Sequence, residues 1–217
     1  MRIALFGSTG GTGLWVLREG LARGHEFRCL VRRPEAFPGD MFSDSADRLT
    51  LVTGDTDDRS AIANVLDTSE AVIITLGNAR RQANTELSRG TGHILEAMTA
   101  AGVRRVLAVT SLGCGDSLQQ VPGFVFRELI VKRLAREIWA DKNRQEAAVR
   151  ASGLDFTLMR PGGLTDADST VSWRALTADH PLEKSERMIS RRSVASALLD
   201  SLEQGTLVGK AVTLVSG

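Results

Sequence analysis

The chain predicts one α/β domain, a mostly parallel β-sheet covered by helices on both faces. Three observations carry this. Short, continuous apolar runs alternate with segments of helical period along the chain; such runs mark strands buried on both faces, and parallel strands need helical crossovers. A glycine-rich run at residues 7–13 follows the first apolar run and opens the first helical one. No shift in composition divides the 217 residues, a length that one hydrophobic core can serve.

Residues 2–6 form the first predicted strand. Residues 12–23 are a helix with Leu14, Leu17 and Leu21 on one face, closed by Gly24. Strands two, three and four fall at 27–31, 49–53 and 71–75, with helices clearest at 60–66 and 85–101. The fifth strand is 105–109 and the sixth 156–159, reached through a helix that carries Lys142 to Arg150. A last helix at 193–202 leads to a terminal strand at 211–215. The domain is read as 1–217, and its substrate side falls to loops at about 112–126 and 162–187, beyond the carboxyl ends of the strands.

Composition narrows the function classes. Apolar residues make up 42% of the chain, and 27 Lys plus Arg stand against 26 Asp plus Glu. No long-range field steers polyanions, so nucleic acid is not an expected partner. Neither a run of 18 apolar residues nor a basic leader with a cleavage site is present, so the expectation is a cytoplasmic protein off the membrane. Cys29 and Cys114 supply no disulfide framework, and Cys29 reads as core. His25, His93 and His180 lack ligand spacing, and no metal is expected. Tyrosine is absent altogether, which constrains any proton-transfer mechanism.

Residues 7–13 read Gly-Ser-Thr-Gly-Gly-Thr-Gly between a strand and a helix. Gly7 suits a tight turn, Gly10 a close approach of backbone to phosphate, and Gly13 close packing of helix on sheet, while the helix start presents unpaired N–H groups to an anion. Thr9 and Thr12 add hydroxyl donors. The spacing is GxxGxxG rather than the standard GxGxxG. A dinucleotide pyrophosphate is the expected ligand. Arg32 and Arg33 end strand two, where an acidic residue would hold a free ribose 2′-hydroxyl; guanidinium groups suit a 2′-phosphate, so the expected cofactor is NADP(H). The alternative is a solvated charge pair before Pro34. Asp55, after Gly54, either accepts from the adenine amino group or caps the helix beginning near Asp57. Gly77 and Asn78 lie near the ribose path or merely turn the chain.

This loop, Arg32, Asp55, the Thr110–Ser111 strand end and the run from Ser152 through Arg160, Pro161, Gly162 and Gly163 to Leu164 together resemble the atypical short-chain dehydrogenase/reductases. More narrowly, the chain is similar to the NAD(P)H-binding group containing flavin reductase/biliverdin reductase B and NmrA-like proteins, over nearly its whole length. The resemblance implies a single-domain Rossmann fold. It implies that Gly7, Thr9, Gly10, Gly11 and Thr12 surround the pyrophosphate, that Arg32 meets the 2′-phosphate and Asp55 the adenine, and that Leu76 and Gly77 run along the adenosine and ribose. Ser111 would face substrate beside the nicotinamide, and Lys142 would be the cofactor-proximal basic residue. Glu146, one helical turn after Lys142, is expected to pair with its ammonium.

Two departures matter. Related dehydrogenases use Tyr-x-x-x-Lys, with the phenol exchanging a proton with the substrate oxygen; Ile138 stands four residues before Lys142, so that mechanism is excluded. In the run Ile189, Ser190, Arg191, Arg192, Ser193, Val194, Ala195, which resembles the segment entering the family's final helix, Ser193 replaces the more familiar Asp; serine still suits a cap there.

Hydride transfer itself belongs to the nicotinamide. A conjugated acceptor such as a flavin or linear tetrapyrrole spreads the arriving charge, so water or a weak donor suffices for the proton. Ser111 is the candidate to orient such an acceptor; its alternative role is to satisfy backbone at a strand end. Lys142 contacts ribose or substrate, or is a solvated helix charge. Phe124, Phe126 and Trp173 offer planar contacts to a ring system, or belong to the core or a subunit interface. Trp139, with Leu134, Ile138 and Val149, reads as packing, and Arg160 and Pro161 as architecture. Three functions compete: an NADPH-dependent reductase of a flavin-like or quinone-like acceptor, an NADP(H)-binding sensor or regulatory protein without turnover, and an epimerase or isomerase weakened by the missing tyrosine. The expected partner is a small-molecule acceptor, with a homodimer as the candidate assembly.

Overall fold

A computed structural model of the chain describes residues 1–77, 85–121, 136–167 and 171–217. The strands are β1 (Arg2–Phe6), β2 (Glu26–Val31), β3 (Leu49–Thr53), β4 (Ala71–Ile74), β5 (Arg105–Val109), β6 (Asp155–Pro161), β7 (Gly163–Thr165), β8 (Arg174–Leu176), β9 (Met188–Ser190) and β10 (Lys210–Val215). The helices are α1 (Gly11–Ala22), α2 (Arg59–Leu66), α3 (Glu86–Ala101), α4 (Arg136–Ala151) and α5 (Arg191–Glu203). Eight strands form one sheet in the order β3-β2-β1-β4-β5-β6-β10-β8. All neighbours are parallel except β10 with β8, which run antiparallel at the edge. Strand order reverses between β1 and β4, the switch point beyond whose carboxyl strand ends sheets of this kind bind ligands.

Alternation along the strands explains their continuous apolar runs. Ile3 and Leu5 of β1 point to the face covered by α1 and α5, where Val16, Leu17, Val194 and Leu198 are buried. Ala4 and Phe6 point to the other face, under Ile62 of α2, Ile94 and Met98 of α3, and Val149 of α4. Both faces are covered by helices, and each fully buried large aliphatic side chain contributes about 1.5 to 3 kcal/mol. Cys29 is completely buried in the first of these cores.

Helix starts differ in a way that positions the site. Asp58 caps α2 by accepting from the Ala61 N–H at 2.9 Å, so Asp55 does not cap it. Ser190 caps α5 by accepting from the Ser193 N–H at 3.0 Å. The expectation that Ser193 caps this helix is therefore corrected: β9 runs to Ser190, which places Ser193 already in the first turn. Gly10, at the start of α1, brings no capping side chain.

Three further findings concern the aromatic residues and the short strands. Trp173, half-buried, packs against the core on the α1 and α5 face and donates from Nε1 to Asp200 Oδ2 at 2.8 Å. Trp139 donates from Nε1 to the Leu112 carbonyl at 3.3 Å and braces the chain after β5. Strands β7 and β9 pair with each other in a small parallel sheet that has no counterpart in the sequence reading. Asn78, Phe124, Phe126 and Leu134 lie outside the described residues.

Candidate active site

The glycine loop is a turn held from inside. Gly7 adopts φ 100°, a conformation that disfavours side chains, and a Cβ there would lie 2.7 Å from the Thr75 carbonyl carbon and 2.9 Å from the Leu76 nitrogen. The loop therefore rests directly on the end of β4 and sits beside Leu76. Thr75 Oγ1 donates to the Gly7 carbonyl at 3.1 Å, and the Gly10 N–H donates to the same carbonyl at 3.1 Å. Helix α1 approaches so closely that a Cβ on Gly13 would stand 2.1 Å from the Gly7 oxygen.

Gly10 is different. It is exposed and extended, at φ −79° and ψ 157°, and a Cβ there would meet only the Gly7 oxygen, at 3.4 Å. The first N–H groups of α1 lack intrahelical acceptors and any capping side chain, beside an open cradle on the Gly10 side. This chemistry fits a pyrophosphate. Thr9 is exposed on the loop and Thr12 is buried in the first turn.

The adenosine-side candidates fall on the same edge. Register places the end of β1 level with β2 and β4, and the end of β2 level with β3. Arg32 and Arg33 leave β2 exposed, and neither guanidinium forms an ion pair among the described residues. Asp55, also exposed, accepts at Oδ1 from the Asp57 N–H (2.8 Å) and the Asp58 N–H (3.2 Å), which fixes the carboxylate and leaves Oδ2 as an acceptor. Leu76 is half-buried and Gly77 exposed beyond β4.

Ser111 and Lys142 are brought together at the end of β5. Lys142 Nζ donates to the carbonyl of Thr110, the residue before Ser111, at 3.3 Å. Lys142 is thus not a solvated helix charge: it retains some exposure, but its ammonium is enclosed, and this loss of solvation draws its pKa below the usual lysine value against the pull of Cys114, Asp141 and Glu146. Ser111 is half-buried and its hydroxyl has no hydrogen-bond partner among the described residues; its carbonyl accepts from the Cys114 N–H at 3.1 Å. The buried Thr110 Oγ1 also lacks a partner among the described residues. Burial pushes the neighbouring Cys114 thiol up to about 11, despite the nearby Lys142 charge, so it is protonated at neutral pH.

The expected Lys142–Glu146 pair is corrected. Glu146 is buried and taken by Arg160, which is fully buried: Arg160 Nε donates to Glu146 Oε1 at 2.7 Å and Nη2 to Oε2 at 3.2 Å. Arg160 Nη1 reaches Asp116 Oδ1 at 2.5 Å. A buried guanidinium needs a carboxylate more than an ammonium in contact with a carbonyl does. The network clamps the loop after β5, and hence Ser111, to β6 and α4. Sequence reading missed this role, because Arg160 lies 14 residues from one partner and 44 from the other. It also missed Arg191, whose Cδ and Nε would lie 2.8 and 2.9 Å from a Cβ on Gly11, at the lip of the phosphate cradle.

Among the described residues, no group of three or more His, Cys, Asp or Glu side chains could hold a metal ion, and no helix is long and apolar enough to cross a membrane.

A model of the family described as NAD(P)H-binding matches residues 7–205. A Bacillus subtilis protein named as an uncharacterised sugar epimerase is 25% identical over 197 residues, 89% of this chain and 83% of its own. A short-chain dehydrogenase/reductase of Veillonella parvula, solved in complex with NADP, superposes with a TM-score of 0.83 at 15% identity over 99% of this chain and 94% of its own. ChuY, an anaerobillin reductase of Escherichia coli O157:H7, superposes with a TM-score of 0.81 at 23% identity over 100% and 97%.

Proposed function

The chain belongs to the NAD(P)H-binding family, and on that premise we propose that it is an NADPH-dependent reductase passing hydride to a flavin-like, quinone-like or other conjugated small-molecule acceptor. The observation that carries the reading is the bond from Lys142 to the Thr110 carbonyl, next to Ser111 at the end of β5, on the sheet edge that bears the uncapped glycine loop, in a chain without tyrosine.

Bound at this edge, the nicotinamide supplies the hydride. Gly7, Thr9, Gly10, Gly11, Thr12 and Gly13 hold the pyrophosphate through helix N–H and hydroxyl donors, and Arg32 with Arg33 neutralises the 2′-phosphate, which favours NADPH over NADH. Asp55 accepts from the adenine amino group, and Leu76 and Gly77 line the adenosine and ribose. Ser111 orients the acceptor with its uncommitted hydroxyl. Lys142 holds the strand end through Thr110, and its desolvated ammonium releases a proton more readily than a solvated lysine does. The Ser111 hydroxyl is a weak proton donor beside a phenol activated by lysine, so acceptors that delocalise the arriving charge fit the site better than simple carbonyls. The anaerobillin reductase of the same fold supports such an acceptor class. Epimerisation, suggested by the name of the Bacillus subtilis relative, has no phenol here to move its proton.

The test is stopped-flow loss of NADPH absorbance against flavins, quinones, linear tetrapyrroles and carbonyls, with free-solution controls. Oxidation is expected with the conjugated acceptors, and Ser111→Ala should lower kcat/KM about 10- to 100-fold with little change in NADPH affinity. Tight NADPH binding with no oxidation across the panel would replace this reading by a cofactor-binding sensor.

A further inference from the structure

The loop at residues 7–13 contains no cation, although the pyrophosphate it is built to receive carries two negative charges. Arg32 and Arg33, at the end of β2, serve the opposite end of the adenosine. A positive charge does reach the cradle, from a distant part of the chain. Arg191 is the first residue of α5, the helix packed alongside α1. Its side chain lies on Gly11, with Cδ and Nε in the space that a Cβ at Gly11 would take. Its side chain is one-quarter exposed and pairs through Nη1 with Asp166 Oδ1 at 2.6 Å, while the Asp166 side chain is 83% exposed.

We propose that Arg191 is a pyrophosphate-binding residue, and that Asp166, its ion-pair partner, competes with the cofactor for the guanidinium. The assignment rests on the cofactor reading above. An ion pair to so exposed a carboxylate is weak and screened. A phosphate oxygen beside the N–H groups of α1 offers the same guanidinium a charge-assisted bond in a less solvated place. Gly11 is needed because any side chain there would displace the arginine stem. Asp166 follows β7, in the segment assigned to the substrate side, so cofactor loading would release that segment from the lip of the cradle.

Calorimetric titration with two probes separates the possibilities. NADP⁺ carries the pyrophosphate, whereas 2′-AMP carries only the phosphate assigned to Arg32 and Arg33. Arg191→Ala is expected to weaken NADP⁺ binding about tenfold or more, one charge-assisted bond, while leaving 2′-AMP within about twofold. Asp166→Asn, which keeps the fold and frees the guanidinium, is expected to tighten NADP⁺ roughly threefold and leave 2′-AMP unchanged. Thermal unfolding of both variants should match the wild type. Undiminished NADP⁺ affinity in Arg191→Ala would overturn the assignment, as would equal losses for both probes or unchanged affinity in Asp166→Asn. Wild-type protein that binds neither probe would instead overturn the cofactor reading, and this assignment with it.

Discussion

Replacing Gly10 with valine should remove NADP(H) binding and spare the fold, while Gly13→Ala should do its damage to the fold first. At Gly10 the backbone is extended, a conformation any residue adopts, and an added Cβ meets only one oxygen at 3.4 Å. The position is exposed, so unfolding stability should change by no more than about 0.5 kcal/mol. The new isopropyl group instead occupies the cradle over the start of α1. If it costs the pyrophosphate two charge-assisted bonds, the loss is about 3 to 6 kcal/mol, or roughly 10²- to 10⁴-fold in affinity. At Gly13 the added Cβ would stand 2.1 Å from the Gly7 oxygen and 2.9 Å from Ser8 Cα, so the helix must move off the loop. Such overpacking costs about 1 to 3 kcal/mol, which for a chain of this size lowers Tm by about 2 to 4 °C per kcal/mol. Calorimetry with NADPH beside thermal unfolding reads both quantities. A folded Gly10→Val protein with wild-type affinity would refute the placement of the phosphate, and a Gly13→Ala protein of wild-type Tm would refute the packing argument.

Losing the guanidinium of Arg32 in Arg32→Ala should cost about 1.5 to 3 kcal/mol of NADPH binding and far less of NADH binding, as read by tryptophan fluorescence titration; equal losses for the two cofactors would remove Arg32 from the 2′-phosphate. Glu146→Ala leaves the buried Arg160 with Asp116 alone and should cost about 3 kcal/mol in urea unfolding, whereas a cost under about 1 kcal/mol would mean that the network does not clamp the loop. For Lys142 the folded-state pKa lies below the unperturbed 10.5, so the unfolded chain holds this proton more tightly. The enclosed ammonium therefore costs stability at neutral pH, and the cost is relieved as pH rises through the lowered pKa towards 10.5. Lys142→Met should accordingly be more stable than the wild type at neutral pH and lose that advantage as pH rises; a difference independent of pH would contradict the enclosure of the ammonium.

What could be read from sequence was local or periodic. Strands β3 and β5 match their predicted bounds because each is a short run rich in β-branched and aliphatic residues between polar or glycine neighbours, and β4 ends one residue early, at Ile74, although the Thr75 N–H still donates to the Phe6 carbonyl at 2.8 Å while its hydroxyl supports Gly7. The cofactor loop was legible because its seven residues are consecutive and follow a strand. Strands β7, β8 and β9 are three residues each, too short for a period to appear, and their partners are set by tertiary packing. The same limit applies to side-chain partners. Glu146 reads as a partner for Lys142 on helical spacing alone, but the competing guanidinium comes from β6 and wins because it is fully buried. Lys142 turns instead to a backbone carbonyl, which leaves no trace in residue identity. Arg191 meets Gly11 across 180 residues of chain, and only the packing of α5 against α1 reveals it.

On the proposed placement, only one face of the nicotinamide meets a conjugated acceptor. Transient oxidation of enzyme-bound NADPH carrying deuterium at either the 4R or the 4S position tests it directly, with a quinone as acceptor and the light cofactor as reference. A primary isotope effect is expected for one labelled form and none for the other, because a pyrophosphate held at Gly10 and a ring placed by Ser111 present a single face. Equal effects from both labels, or oxidation no faster than in free solution, would contradict it.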